Sequence, residues 1–142
     1  KSIAQMEKVG GQNNTGVSWY GLAEVERVAG NFLAATRHYQ RSLFLRNKLQ
    51  EYIHFPEIFD SLAKLFLLQN DFVQSARWFG CSDALRKKFG IVIPPVDRPD
   101  YDKHLDLLKS QMNAVEFESA WEEGEKIHMN AVVALALQGY EP

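Results

Sequence analysis

Cysteine is nearly absent: Cys81 is the single one in 142 residues. That excludes a disulfide framework within the chain and a metal centre built on cysteine, and it fits a cytoplasmic location. Long apolar runs are missing too. The longest, Ala131 to Leu137, is far short of the roughly 18 to 20 residues of a membrane span, and there is no signal-peptide pattern, so no membrane partner is expected. Charge of one sign is not in excess, with 16 Lys and Arg against 18 Asp and Glu. Such a balance gives no broad pull toward nucleic acid, and no direct nucleic-acid binding is expected.

Signatures of catalysis are missing as well. No G-x-x-x-x-G-K-[ST], G-x-G-x-x-G after a strand, H-E-x-x-H or G-x-S-x-G occurs, so neither enzymatic activity nor a cofactor is expected. His38, His54, His104 and His128 lie on different segments, without metal-ligand spacing to one another or to Cys81. They read as structural or surface histidines, and Cys81 as an inert thiol. The basic clusters Arg41, Arg46, Lys48 and Arg86-Lys87-Lys88 fall in the last turns of expected helices, where the macrodipole favours cations. The five carboxylates of "EFESAWEEGEK" read as a solvated helix face.

What the chain does contain is a repeat. Leu22 and Leu62, Ala23 and Ala63, Phe32 and Phe72, Arg37 and Arg77, and Leu45 and Leu85 are all 40 residues apart. Trp19 over Phe59, Val25 over Leu65, Val28 over Leu68, Leu33 over Val73 and Tyr39 over Phe79 keep size and polarity where identity is lost. Apolar residues spaced by threes and fours predict a helix between Thr15 and Gly30 and another from Phe32 to about Leu49. The second should bury Ala35, Tyr39, Leu43 or Ser42, and Leu45 or Arg46. The pair recurs with Pro56 at a helix start, Phe59, Leu62, Ala63 and Phe66 on its face, and Asn70-Asp71 as the turn. A helix from Phe72 to Phe89 follows, closed by Gly90 in the left-handed conformation.

The same register places residues 1 to 9 as the second helix of an earlier, truncated repeat. Gly10 to Asn14 is then a connecting loop, and the chain reads as a piece of a longer array. After Gly90, "IVIPPVDRPD" forbids a continuous helix and predicts an extended crossing pinned to the core by its three leading apolar residues. Asp97 or Asp100 is the expected cap of a helix with Tyr101, Leu105, Leu108 and Met112 on its face. Asn113 and Glu116 form a capping-box pattern ahead of Phe117, Ala120, Trp121, Gly124 and Ile127. "NAVVALALQG" is expected to be capped by Asn130, stopped by Gly139, and apolar nearly all round. The organisation expected is one domain over residues 1–142: repeats over 15–50 and 55–90, a linker over 91–97, and C-terminal helices over 98–139.

Trp19-x-x-Leu22-Ala23, Gly30 and Ala35-x-x-x-Tyr39, then Phe59-x-x-Leu62-Ala63-x-x-Phe66 and Ser75-x-x-x-Phe79, resemble the tetratricopeptide repeat. Glu26 departs from that pattern where an aromatic is expected, and Asn47 and Lys87 stand where it closes on proline. The period of 40 exceeds the usual length of about 34 residues. With the segment from Ser75 to Ile127, it resembles the C-terminal helical-repeat region of large bacterial transcriptional activators of the LuxR and streptomycete antibiotic-regulator type. Related multidomain ATPase and nucleotidyl-cyclase proteins share that region. The resemblance implies an all-α, right-handed superhelix of antiparallel helix hairpins with atypical C-terminal capping helices.

It also implies a non-catalytic module for protein–protein interaction or regulation inside a larger signalling protein. First helices in such arrays line a groove for a peptide or helix, here Val17, Tyr20, Glu24, Arg27 and Val28, then Glu57, Asp60, Lys64, Leu67 and Leu68. The expected partners are a protein or peptide, including flanking domains of the same parent chain. Self-association through Ile3, Met6 and Val9 of the truncated helix is a further expectation. The alternative is a domain that senses a small effector, which a closed apolar pocket near Trp78, Trp121 and Tyr101 would favour.

Overall fold

A computed structural model describes residues 15–142. Residues 1–14, and with them the truncated helix, the loop after it and the self-association surface, lie outside the described part. Among the described residues the protein is all-helical. Seven α-helices follow in order: α1 Gly16–Val28, α2 Phe32–Lys48, α3 Phe55–Leu68, α4 Phe72–Phe89, α5 Arg98–Ser110, α6 Ala114–Lys126 and α7 Met129–Ala136, with a short 3₁₀ turn at Tyr52–His54. Two compact units result, one holding α1, α2 and Val133–Pro142, the other Phe55–Val132.

The repeat is written into the backbone of each hairpin. Gly30 and Asn70 both have positive φ, at 86° and 61°, and so do Gln50 and Gly90, at 56° and 66°. The amide of Asn31 donates to Glu26 O at 2.8 Å and that of Asp71 to Phe66 O at 2.9 Å; Glu51 N donates to Arg46 O and Ile91 N to Arg86 O at the same two distances. All these positions are 40 apart, so the shift seen in side chains also sets how both helices of each hairpin end. At Gln50 an L side chain occupies a conformation that glycine tolerates without strain. Gln50→Gly is therefore expected to raise stability by about 0.5–1 kcal/mol, and Gly90→Gln to lower it by a similar amount, both checked by denaturant midpoints.

Within each hairpin the helices pack antiparallel. Ser42 Oγ donates to Gly16 O at 2.7 Å, while Arg27 at the far end of α1 reaches Tyr39. Ser75 Oγ donates to Ala63 O at 2.8 Å, and Asp60 meets Ser82 and Arg86. Ala23, Ala35, Ala63 and Ser75 are fully buried, and their small volume is what lets the helices approach. Trp19, Tyr39, Phe59 and Phe79 fill the remaining space. On α2 the buried set is Ala35, Tyr39, Gln40, Ser42, Leu43 and Arg46, so the seryl and arginyl options are part of the face.

Beyond Gly90 several expectations need correction. Val92 is 79% exposed and only Ile91 and Ile93 are half-buried, because in an extended segment neighbouring side chains point opposite ways. Asp97 sits at the N-cap of α5, but its side chain caps no amide. Half of the capping box of α6 is present: Glu116 N donates to Asn113 Oδ1 at 2.8 Å, while the Glu116 carboxylate accepts from the Asn113 side-chain amide, Nδ2 to Oε1 at 2.6 Å, in place of its backbone N–H. Asn130, expected as a cap, lies inside the first turn of α7, and its amide donates to His128 Nδ1 at 3.2 Å. Nor is α7 buried all round. Val132, Val133 and Ala136 are buried, and Leu135 is half exposed. Within the first unit, Gln40 Nε2 donates to Ala136 O and Gln138 O, both at 3.0 Å, and closes the C-terminal end of α7.

Candidate functional site

The residues expected to line a groove have, for the most part, internal partners. In the first hairpin Arg27 is 8% exposed. Its Nη2 donates to Glu24 Oε2 at 2.8 Å and its Nε to Tyr39 Oη at 3.1 Å, while Tyr39 Oη donates to Glu24 Oε1 at 2.6 Å. Burial, with the charge of Glu24 added, pushes the Tyr39 phenol well above its ordinary range. Tyr20 stacks obliquely 5.8 Å from Tyr39. Val17 and Val28 are exposed. Glu26 meets His38 Nδ1, and His38 stacks on Trp19 at 5.2 Å. The carboxylate standing where the repeat pattern asks for an aromatic is therefore the partner of a histidine in the next helix.

In the second hairpin Asp60 is 6% exposed and Leu67 4%, while Glu57 is half-buried and Leu68 47% exposed. Arg86 Nη2 donates to Asp60 Oδ2 at 2.5 Å, and Ser82 Oγ donates to the other carboxylate oxygen. Burial lifts the Asp60 carboxyl above its ordinary value, against the opposing pull of Arg86 and Ser82. Lys64 Nζ donates to Asp100 Oδ2 at 2.7 Å and ties α3 to α5. Arg86 keeps two buried N–H groups, Nε and Nη1, without a hydrogen-bond acceptor. Its guanidinium lies 5.6 Å from the Tyr101 ring centroid, and that ring face supplies part of the missing stabilisation.

The expected capping role of the basic clusters is refined by these contacts. Arg46 Nη1 goes to Glu51 Oε1 at 3.3 Å and Arg86 to Asp60, so both arginines bond carboxylates rather than the last carbonyls of their helices. Gly16 makes room for Arg46: a Cβ there would come within 2.5 Å of Arg46 Cγ. Sequence reading passed over Ser42 with Ser82 and Arg46 with Arg86. The signal was available, since both pairs are identities in the 40-residue register.

The open surface of the second unit is a cleft of about 900 Å³. Its floor comes from Asp83, Arg86 and Lys87 of α4 with Gly90 to Ile93, one wall from α5 and the other from α6. The walls meet where Lys109 Nζ lies 5.3 Å from the Phe117 ring centroid. Tyr101 packs edge-on against Phe79 at 5.6 Å, and Phe117 lies 5.5 Å from Trp121. Eight of the sixteen lining residues are charged. No family model, curated protein or solved structure matches the chain.

Two features fix the α6 wall against α4. A Cβ on Gly80 would meet Trp121 O at 2.2 Å, and one on Gly124 would meet Arg77 O at 2.0 Å, so the two backbones touch at reciprocal glycines. Arg77 Nη2 donates to Glu123 Oε1 at 2.7 Å beside this crossing. Cys81 Sγ donates to Gly124 O at 3.3 Å, and burial pushes its thiol from 9.0 up to about 12. At pH 8 its thiolate fraction is then lowered about a thousandfold. Alkylation is expected to be slow in the folded chain and to reach the rate of an open thiol in denaturant; equally fast reaction in both would contradict this burial. Because the folded state resists ionisation, the thiol's effect on stability is nil below pH 9 and becomes a loss as pH rises toward 12.

Among the described residues, no group of three His, Cys, Asp or Glu side chains is placed to hold a metal ion, and no helix is long and apolar enough to cross a membrane.

Proposed function

We propose that this chain is a non-catalytic, tetratricopeptide-like helical-repeat module. In this reading it mediates protein–protein interaction or regulation within a larger bacterial signalling or transcription-regulating protein, and takes its partner in the cleft bounded by α4, α5 and α6. The architecture that goes with it is right-handed superhelical stacking of the hairpins. The observation that carries the reading is the character of the cleft: open, and lined by aromatic and aliphatic side chains interleaved with charges of both signs. Protein interfaces are built in this way, with an apolar centre and a polar rim. The groove expected from the first helices is the weaker site, because Arg27, Asp60 and Leu67 are turned inward.

Peptides selected from an unbiased display library against the whole chain test the proposal. They are expected to lose binding to Trp121→Ala and Lys109→Glu variants that keep the wild-type melting temperature. Selected peptides insensitive to both changes would remove the cleft from the proposal.

The second reading is a small-effector sensor, and one observation favours it. The cleft includes Tyr101 and Trp121 and its volume lies within the usual range for a small-molecule site, although it is open and half its lining is charged where a closed apolar pocket was expected. Trp78, however, is buried against Phe59 at 5.5 Å and does not line it. A library of apolar small molecules that raised the melting temperature where no peptide did would promote this reading over the first.

A further inference from the structure

The interaction-module reading leaves the chemistry of the partner open, and the two walls of the cleft differ in sign. The lining residues of α5 are Arg98, Tyr101, Leu105 and Lys109, spaced by three and four so that they form one stripe. That stripe carries no carboxylate. The charged lining residues of α6 are Glu118, Glu122 and Glu125, again one stripe, and it carries no cation. Between the charged positions of the two stripes lie Ile91, Ile93, Phe117 and Trp121, all half-buried, with Leu105 of the α5 stripe half-buried beside them.

The floor cations are already neutralised, Arg86 by Asp60 and Lys87 by Asp83 at 2.9 Å. The walls are less so: Arg98 pairs with Asp102 at 3.2 Å and Glu125 lies 3.9 Å from Lys87, but the other wall charges are open. Among the described residues Glu118, Glu122 and Lys109 form no ion pair, and all three are exposed.

Resting on the interaction-module reading, we infer that the cleft takes an amphipathic α-helix with acidic residues along one edge of its apolar face and basic residues along the other. Size agrees. A helix about 10 Å across rises 5.4 Å per turn and so fills about 420 Å³ per turn, which makes the cleft a seat for about two turns. An extended strand would need main-chain partners at a sheet edge, and the walls here are helices whose backbone groups bond within the helix. Nucleic acid and anionic lipid are disfavoured by the acidic α6 wall. The edge pattern also sets direction. Turning a helix end for end exchanges its edges, so either mixed-edge layout fits in one orientation, whereas two edges of the same sign oppose one wall in both.

Three cross-linked helical peptides with one apolar face test this: acidic and basic edges, both edges acidic, and both edges basic. Titrated into the whole chain at low salt, the mixed-edge peptide is expected to bind about tenfold tighter than either other, the worth of two or three exposed ion pairs. The advantage should shrink as salt rises. Arg98→Glu with Lys109→Glu is expected to move the preference to the basic-edged peptide, and Glu118→Lys with Glu122→Lys to the acidic-edged one. Equal binding of the three peptides, or a preference that neither pair of changes moves, overturns the inference. If library-selected peptides occupy the cleft while the mixed-edge helix has no advantage, only this inference falls. If no peptide occupies the cleft, the interaction reading falls with it.

Discussion

Gly124→Ala is expected to destabilise the second unit by about 3 kcal/mol, at the upper end of overpacking costs, and Gly80→Ala by a similar amount. The usual relief of overpacking is movement of a side chain. Here a new Cβ would meet the carbonyl oxygen of Arg77 at 2.0 Å, or that of Trp121 at 2.2 Å, and backbone yields only if the helices separate. Separation would also stretch the Cys81 to Gly124 hydrogen bond and draw Arg77 away from Glu123. The melting temperature should fall by roughly 10 °C for either change. Because both act on one crossing, the double variant should lose less than the sum of the two. By contrast Gly21→Ala, where a Cβ would have open space around it, should raise stability by about 0.5–1 kcal/mol. Equal melting temperatures for Gly124→Ala and the wild type would show that α4 and α6 do not cross at these glycines.

Asp60→Ala is expected to cost about 3–5 kcal/mol, the usual penalty for leaving a buried charge without its counter-ion. Arg86 already has two buried N–H groups without acceptors, and Asp60 is the carboxylate that bonds its third nitrogen. Removing Asp60 would also leave Ser82 Oγ with only its bond to Phe79 O at 3.0 Å. A buried pair is seldom worth much more than apolar residues of the same volume. Asp60→Leu combined with Arg86→Met should therefore recover most of the loss, measured by denaturant unfolding of both single variants and the double. A double variant as unstable as the worse single one would mean that Arg86 and Asp60 matter separately and not as a pair.

The sequence made the hairpins legible because a helix repeats at 3.6 residues and ends at residues with special backbone preferences. Thr15, Asn31, Asp71, Gly90 and Asn113 all fall at helix ends in the structure. The same local rules misjudged Asn130, since a histidine two positions earlier does the capping, and histidine carries no such signal in a single sequence. Burial of Arg27 and Asp60 was not legible in periodicity, and that of Arg46 only as an alternative to Leu45, because periodicity ranks residues by polarity and cannot see that one charge will meet another across a helix pair. The cleft was half legible. Tyr101, Phe117 and Trp121 were read as parts of apolar faces, but opposite walls arise only when α5 and α6 are brought beside α4. The contact that holds α6 there depends on Gly80, an inconspicuous residue in the middle of a helix.

The cleft is the centre of the functional account, and Trp121 is its built-in reporter. Of the three tryptophans, Trp19 and Trp78 are buried at 1% and 8% exposure, while Trp121 is half-buried and lines the cleft. The decisive measurement is the fluorine NMR spectrum of the whole chain carrying 5-fluorotryptophan, recorded as the mixed-edge helical peptide is added. The account predicts that the Trp121 resonance moves to saturation while the resonances of Trp19 and Trp78 stay in place. A Trp121 resonance unmoved at saturating peptide, or movement confined to Trp19, would contradict it.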